Sequence, residues 1–148
     1  MSWNDLRKGR FSQDRGEYFI TFVCTDRIRY FSDHSAAHIF CQQLKLNEQS
    51  HGCVWLAWVL MPNHFHGLLQ LGPSTLGKAV GHLKGLSAKR INEKTGRNRA
   101  LWQSAYFDRA IRAEEDRIAI ARYIVANPIR SGLVNDLSHY PYWNSTYL

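Results

Sequence analysis

The sequence lacks the features of a membrane protein or a secreted protein. No apolar run approaches the roughly 20 residues that span a bilayer, because even the hydrophobic stretch from Val54 to Leu71 contains a proline, an asparagine and two histidines. The first residues, Met1 to Lys8, lack the apolar core of a secretory signal. We therefore expect a cytoplasmic protein with no membrane partner.

Cysteine is scarce, and its spacing argues against two common kinds of site. Cys24, Cys41 and Cys53 are odd in number and far apart, with no Cys-x-x-Cys pair. This pattern is typical of small buried residues in a reducing compartment rather than of disulfides or a zinc cluster. Repeats and low-complexity segments are also absent, and 148 residues suit a single domain. Within residues 1–148 we expect a lead-in (1–16), a core (17–134) and a tail (135–148).

Acidic residues are nearly missing from one segment. The segment from Lys78 to Arg112 contains nine basic residues and two acidic ones, so its net charge is +7, equal to the net charge of the whole chain. Such an excess suits nucleic acid, because neutralisation of phosphates supplies most of the non-specific affinity. A solvated basic surface that only aids solubility is the alternative.

Two hydrophobic periodicities alternate along the chain and predict the fold. Aromatic, β-branched and continuous apolar runs predict strands at 17–25, 54–60, 64–71 and 106–112. Apolar residues at helical spacing predict helices at 34–49 and 76–94, and a third that ends near residue 126. The order β-α-β-β-α-β plus one helix indicates an α+β, ferredoxin-like fold, in which a four-stranded antiparallel sheet packs two helices on one face. The other face is left for the additional C-terminal helix or for a ligand.

The turn Met61-Pro-Asn63 is followed by two histidines, His64 and His66. Residues i and i+2 of a strand point to the same face, so both imidazoles are predicted to project together. Neutral imidazole is the commonest metal-binding side chain, and this pair can present two ligands to one ion. Two histidines that are hydrogen-bonded and bind no metal are the alternative, which so short a motif leaves open.

Tyr123 and Asn127 stand four residues apart on the last predicted helix, about one turn apart on one face. The tyrosine offers a nucleophilic oxygen, and the asparagine carbonyl suits a hard divalent ion. If this helix crosses the sheet, His64, His66 and Asn127 could hold one metal beside the Tyr123 hydroxyl. A structural tyrosine and a helix-capping asparagine are the alternative.

Three motifs, in this order and separation, resemble those of the single-tyrosine HUH transposases, and most closely the branch associated with repetitive extragenic palindromes in bacteria. They are Met61-Pro-Asn-His-Phe-His66, Leu101-Trp-Gln103 and Tyr123-Ile-Val-Ala-Asn127, the last continuing to Val134. The resemblance, which runs from about residue 18 to residue 134, implies that Tyr123 is catalytic and that His64, His66 and Asn127 bind a metal. The histidine that this family usually carries after the aspartate of strand four is here Arg109.

The chemistry that such a site supports is transesterification on single-stranded DNA. A free phenol has a pKa of about 10 and is a poor nucleophile at neutral pH, so Mg²⁺ or Mn²⁺ at the site would polarise the scissile phosphate. Attack by the tyrosine yields a 5′-phosphotyrosine and a 3′-hydroxyl. A DNA hairpin with an adjoining single strand would be held by basic residues and by Trp102, which is either a stacking platform or a core residue. The basic candidates are Lys84, Lys89, Arg90, Arg97, Arg99, Arg109 and Arg112.

Two other classes of function remain open. A domesticated transposase could bind palindromes without cutting them, although Tyr123 and both histidines are retained. RNA recognition by the sheet is less favoured, because the RNP1 signature is missing from strand three. A metal-dependent hydrolase would use His64 and His66 to activate water, and a covalent protein–DNA adduct separates it from the transposase. Both a monomer and a homodimer are compatible with the motifs.

Overall fold

The computed structural model describes residues 16–113 and 115–147. Of the predicted lead-in, only Gly16 falls among them. The helices and strands in chain order are β1 (Glu17–Val23), α1 (His34–His51), β2 (Val54–Met61), β3 (His64–Gln70), α2 (Leu76–Thr95), β4 (Phe107–Ala110), α3 (Arg117–Val125), α4 (Asn127–Arg130) and β5 (Trp143–Ser145).

The strands form one antiparallel sheet in the order β4-β1-β3-β2-β5. The first four strands have the ferredoxin-like order, which confirms the predicted fold. The fifth strand adds to the free edge of β2, with Ala57 opposite Ser145 and Val59 opposite Trp143. The sequence did not predict β5, because it has only three residues and follows a proline and two tyrosines in the tail.

The sheet has an apolar core on each face, and alternation along β3 assigns residues to them. Phe65 and Leu69 belong to the core that contains buried residues of α1 and α2. His64, His66 and Leu68 point to the opposite face, since side chains alternate along a strand. We call this opposite side the α3 face, because α3 packs there over β2 and β3. Its core comprises Ala57, Val59, Met61, Leu68, Ala121, Ile124 and Val125.

The predicted bounds differ from the structure mainly near the third helix. Strand four is shorter than the predicted 106–112. Helix α3 begins after Asp116, whose carboxylate accepts a hydrogen bond from Ala119 N at 3.1 Å. Asn127 does not cap α3, because it is the first residue of α4, and its carbonyl accepts from Ser131 N at 2.9 Å. Pro128 can occupy the second position of this short helix because the first helical turn needs no N–H donor.

Trp102 is a core residue, so its assignment as a stacking platform is wrong. Its side chain is only 5% exposed and packs in the core with α1 and α2. The indole Nε1 donates to Ser87 Oγ at 3.0 Å. The ring centroid lies 4.6 Å from that of Phe22 and 5.3 Å from that of Phe31. The small part of the residue that stays exposed, at the cleft beside the end of β1, is too little for a base to stack on.

The three cysteines are free thiols, as their spacing predicted. Cys24 and Cys53 are buried and Cys41 is half-buried. Burial raises the pKa of Cys24 to about 12 and the pKa values of Cys41 and Cys53 to about 11. All three are therefore protonated at neutral pH and behave as small apolar side chains.

Across residues 16–113 and 115–147, no helix combines the length and apolar character needed to cross a bilayer.

Two glycines should respond oppositely to alanine. Gly81 lies on the exposed side of α2, four residues from Gly77 and from Gly85. From the sequence alone, this spacing suggests that another backbone approaches the helix closely. The structure shows no such approach, because within the described residues nothing lies within 4 Å of a Cβ added at any of the three glycines. Gly81→Ala should raise the free energy of unfolding by about 0.5–1 kcal/mol, because alanine has less chain entropy to lose. At Gly67 a Cβ would lie 2.6 Å from the Trp55 ring. Gly67→Ala should lower stability by about 1–3 kcal/mol; equal effects in denaturant titrations would contradict this packing.

Candidate active site

The two histidines lie side by side at the beginning of β3. Their ring centroids are 4.7 Å apart and the ring planes are inclined by 78°. The two-residue turn before them is held by neighbouring segments, since Pro62 O accepts from Phe31 N at 3.0 Å and Asn63 O accepts from Cys24 N at 2.9 Å. The backbone that carries the imidazoles is therefore fixed on both sides of the turn.

Each imidazole is oriented by a hydrogen bond at Nδ1. His64 Nδ1 donates to the amide oxygen of Asn63 at 2.7 Å, which leaves its Nε2 with a free lone pair. His66 Nδ1 lies 2.7 Å from the hydroxyl of Thr21, the residue directly opposite it on β1. Such a second partner fixes the tautomer and orientation of a metal-binding histidine. Here Asn63 fixes the tautomer of His64, and Thr21 holds the orientation of the His66 ring.

The electrostatic setting keeps both rings neutral. Burial lowers the pKa of His64, and the nearby Arg27 adds to the effect. Burial also lowers the pKa of His66 to about 4, with further contributions from His64 and Arg130. Neutral imidazoles with oriented Nδ1 atoms have the donor chemistry that a divalent metal requires.

A third ligand for a metal at the histidine pair would have to be something other than an acidic, sulfur or further imidazole donor. Among residues 16–113 and 115–147, no group of three His, Cys, Asp or Glu side chains is placed to hold a metal. Asn127 offers an amide oxygen from the start of α4, which packs against β2, the strand paired with the histidine strand. The amide oxygen of Asn127 suits Mg²⁺ or Mn²⁺, whereas imidazole nitrogens also suit Zn²⁺ or Ni²⁺, so the three side chains fit a divalent ion of either kind.

Tyr123 is presented to solvent on α3, and an arginine packs against it. The tyrosine is 58% exposed, whereas Ala121, Ile124 and Val125 turn into the core. The guanidinium carbon of Arg130 lies 3.9 Å from the Tyr123 ring centroid. Arg130 also donates to the Tyr123 backbone carbonyl at 2.6 Å. Burial, His64 and this same arginine lower the pKa of His66, so Arg130 contacts Tyr123 and also lies near enough to His66 to act on it.

A second arginine, Arg27, lies near the pair, since its charge adds to the effect of burial in lowering the pKa of His64. Arg27 and the preceding Asp26 both have φ of 54°, in the left-handed region that non-glycine residues rarely adopt. Backbone strain of this kind persists only where surrounding contacts enforce it, and it concentrates at functional sites. Sequence reasoning missed Arg27 and Arg130, because nothing in their spacing links them to the histidines before the sheet register is known.

The predicted DNA-binding cations fall into three groups, which differ in how far each side chain is already paired. The first group, Lys89, Arg90, Arg97 and Arg99, is exposed; Arg90 lies 3.4 Å from Glu93, and the Arg97 guanidinium lies 4.3 Å from the Tyr30 ring centroid. Arg109 and Arg112 share Glu115, at 2.9 and 3.9 Å. Lys84 differs from the others, because its half-buried ammonium donates to the carbonyls of residues 103–105, the shortest bond being 2.8 Å.

Lys84 is therefore better explained as a structural residue than as a phosphate contact. Burial lowers its pKa, and its ammonium also lies 5.5 Å from the Tyr106 ring centroid. Its bonds hold the segment that leads into β4. A lysine whose donors are already satisfied by carbonyl oxygens has little left to offer a phosphate.

Known proteins resemble this chain in sequence and in fold. A sequence model of the family described as "Transposase IS200 like" matches residues 12–127. A Haemophilus influenzae protein, named as a candidate REP-associated tyrosine transposase, is 26% identical over 139 residues, which cover 86% of this chain and 78% of the relative. A solved REP-associated tyrosine transposase bound to a REP hairpin has the same fold, with a TM-score of 0.75 at 21% identity over 90% of this chain and 79% of that one.

A second solved structure, of a candidate transposase from Deinococcus radiodurans R1, gives a TM-score of 0.56 at 25% identity and covers 73% of this chain and 87% of that one. The family match spans most of the chain, from before β1 to the first residue of α4, and includes both histidines and the tyrosine. The chain therefore belongs to the IS200-like transposases, with a REP-associated tyrosine transposase among its relatives.

Proposed function

We propose that this protein cleaves and rejoins single-stranded DNA next to hairpins, through a covalent bond between Tyr123 and a 5′-phosphate. The observation that carries the proposal is the position of Arg130. Its guanidinium stacks on the exposed Tyr123 ring, and its charge reaches His66. One cation therefore lies near both the nucleophile and the histidine strand, an arrangement that suits phosphoryl transfer.

In the proposed reaction the Tyr123 oxygen attacks the scissile phosphorus. A bond forms between the phenolic oxygen and phosphorus, and the bond from phosphorus to the 3′-oxygen of the preceding nucleotide breaks. The phenolic proton passes to water, to which Tyr123 is open, and the leaving 3′-oxygen takes up a proton. The phosphodiester bond energy is retained in the phosphotyrosine, so a 3′-hydroxyl can reverse the step and rejoin strands without ATP.

Residues around the tyrosine supply positioning and charge. His64, His66 and Asn127 would hold Mg²⁺ or Mn²⁺, which when bound offsets the negative charge that develops on the phosphate oxygens. Arg27 and Arg130 add two fixed positive charges near the imidazoles, so that an anion is favoured there. Arg130 also restrains the tyrosine, because it contacts both the ring and the backbone carbonyl of Tyr123.

The direct test incubates the protein with a DNA hairpin that carries a single-stranded flank, in Mg²⁺ or Mn²⁺, followed by a denaturing gel. We expect a slow-migrating protein–DNA adduct and a released fragment with a 3′-hydroxyl. The flank annealed to its complement serves as the control and should yield much less adduct. Cutting without an adduct would indicate hydrolysis by water, and binding without cutting would indicate a palindrome-binding protein; either result contradicts the proposal.

The basic segment should contribute affinity without sequence preference. Reversing the charges of Lys89, Arg90, Arg97 and Arg99 to glutamate should weaken binding to every DNA sequence and flatten its salt dependence. For single strands the log–log salt slope falls by about 0.7 for each phosphate that the protein no longer neutralises. Fluorescence anisotropy at several salt concentrations measures both quantities. Lys45→Glu, an exposed charge on α1, is the matched control, and an unchanged slope in the fourfold variant would show that DNA lies elsewhere.

A further inference from the structure

An exposed phenylalanine stands on the face of the sheet that carries the histidines. Phe107, the first residue of β4, is 56% exposed, and β4 is the edge strand of the sheet. Most other phenylalanines in the described residues are buried in the core with α1 and α2. A single exposed apolar side chain is ordinary on a protein surface, so it is the position of Phe107 relative to the candidate active site that points to a ligand.

The register places Phe107 in line with the site. Phe107 lies opposite Thr21, and Thr21 lies opposite His66. Directly opposed residues of antiparallel strands point to the same face, so Phe107, Thr21 and His66 form one row across the sheet. Two strand spacings separate the ends of this row, about 10 Å. Phe107 is thus within reach of a nucleotide close to a phosphate held at the histidines.

The opposite side of the site is closed. The row continues from His66 to Val59 and Trp143, and the tail residues Tyr140 and Trp143 pack against the core of the α3 face there. Helix α3 covers β2 and β3. A strand that reaches the histidines can therefore leave them on the β1–β4 side, over Phe107. A pocket beside the β2–β3 turn, lined by Asn63, His64 and Ser131, opens the other end of the site.

Charge and shape on this side suit DNA. Arg109 lies two residues after Phe107 on the same strand, so it projects to the same face, and it is 45% exposed beside Glu115. An open cleft of about 750 Å³ adjoins the end of β1; Asp26, Arg27, Trp102 and Gln103 are among its lining residues, and Phe107 is not. An exposed ring on the same strand and face as a half-exposed arginine is a combination that single-stranded DNA sites use, with bases stacked on aromatics and phosphates beside positive charge.

We infer that Phe107 is a stacking platform for an unpaired base of the DNA strand that leaves the scissile phosphate across the β1–β4 edge. The inference rests on the proposed function and deepens it, since it assigns a ligand to a residue outside the tyrosine and histidine site. Stacking needs only a π face, so the site holds any base and contributes affinity without sequence preference. It takes the role that the buried Trp102 is unable to fill.

The test places 2-aminopurine at successive positions in the single-stranded flank of the hairpin and follows its fluorescence on binding, in the full chain. We expect quenching at one position near the cleavage site, retained in Phe107→Trp and lost in Phe107→Leu and Phe107→Ala. Affinity for the flanked hairpin should fall between about 5- and 100-fold in the alanine variant. Leu46→Ala, an exposed apolar residue of α1, should bind as the parent does.

Equal quenching and affinity in the parent and in Phe107→Leu would overturn the inference. So would a concentration-dependent dimer that Phe107→Ala abolishes in sedimentation, because the ring would then serve contact between copies through the edge strand. Cleavage by the parent is scored on the same hairpins. If the parent cuts and forms the adduct while Phe107 has no effect on the flank, only this inference fails; if the parent binds no single-stranded DNA, the proposed function fails with it.

Discussion

Tyr123→Phe is expected to abolish both the protein–DNA adduct and strand cleavage while leaving folding and hairpin affinity nearly unchanged. The substitution removes one hydroxyl from a side chain that is 58% exposed, so core packing is preserved. The contacts of Arg130 go to the ring and to the backbone carbonyl, and phenylalanine keeps both. The denaturing gel measures cleavage, and anisotropy with the same hairpin measures binding.

The other tyrosines provide the control for this result. Tyr140→Phe should still cut DNA, because that hydroxyl donates to Leu60 O at 2.5 Å and burial raises its pKa to about 12, which makes it a poorer nucleophile than an ordinary phenol. Tyr106 is the other tyrosine to test as the nucleophile in place of Tyr123, and its ring centroid lies 5.5 Å from the Lys84 ammonium. If Tyr123→Phe still cut at the same phosphate, water or one of these residues would be the nucleophile, and the assignment of Tyr123 would be wrong.

The second large effect is expected at the histidine pair. His64→Ala or His66→Ala should weaken Mn²⁺ binding and lower the cleavage rate by about a hundredfold or more, because a charge-stabilising group is removed while the tyrosine stays intact. Thr21→Val removes only the hydrogen bond that orients His66, and it should cost about tenfold in metal affinity. Electron paramagnetic resonance of free Mn²⁺ reports binding, and the gel reports cleavage.

The chain contains its own matched control for these variants. His51 and His82 form another pair whose ring centroids are 4.7 Å apart, the same separation as in the candidate site. His51 Nδ1 is hydrogen-bonded to the Ser74 hydroxyl, and burial, His82 and Lys78 lower the His51 pKa, but the family motif does not include this pair. His51→Ala should change neither Mn²⁺ binding nor cleavage. If it matched His64→Ala in both assays, general damage to the fold would explain the losses.

Sequence patterns predicted the parts of this molecule that depend on local periodicity. The first four strands, the two long helices and the common face of His64 and His66 follow from spacings of two and of three to four residues. Features that depend on which segments meet in space were not predictable in this way. The contact of Arg130 with Tyr123 spans two helices separated by a bend at Ala126, and the Thr21–His66 bond depends on strand register.

The same reasoning explains the two errors among the DNA contacts. Tryptophan and lysine are common in nucleic-acid sites, yet Trp102 and Lys84 make contacts within the protein instead. The indole of Trp102 bonds to Ser87 and packs on neighbouring rings, and the ammonium of Lys84 bonds to three carbonyls. Residue type and local charge do not report which side of a segment faces the core. Phe107 was overlooked for the converse reason, because an apolar residue at the start of a strand is ordinarily expected to be buried.

The two-residue turn between β2 and β3 has a consequence for how relatives of this chain should be compared. Met61 pairs directly with His64, so Pro62 and Asn63 alone span the turn. One inserted residue that a longer turn did not absorb would shift the strand that follows by one position and carry both imidazoles to the opposite face, among the apolar side chains of α1 and α2. Insertions and deletions should therefore be absent between residues 61 and 66 in active relatives. An alignment that opens a gap there has misplaced a strand, however well the flanking residues match.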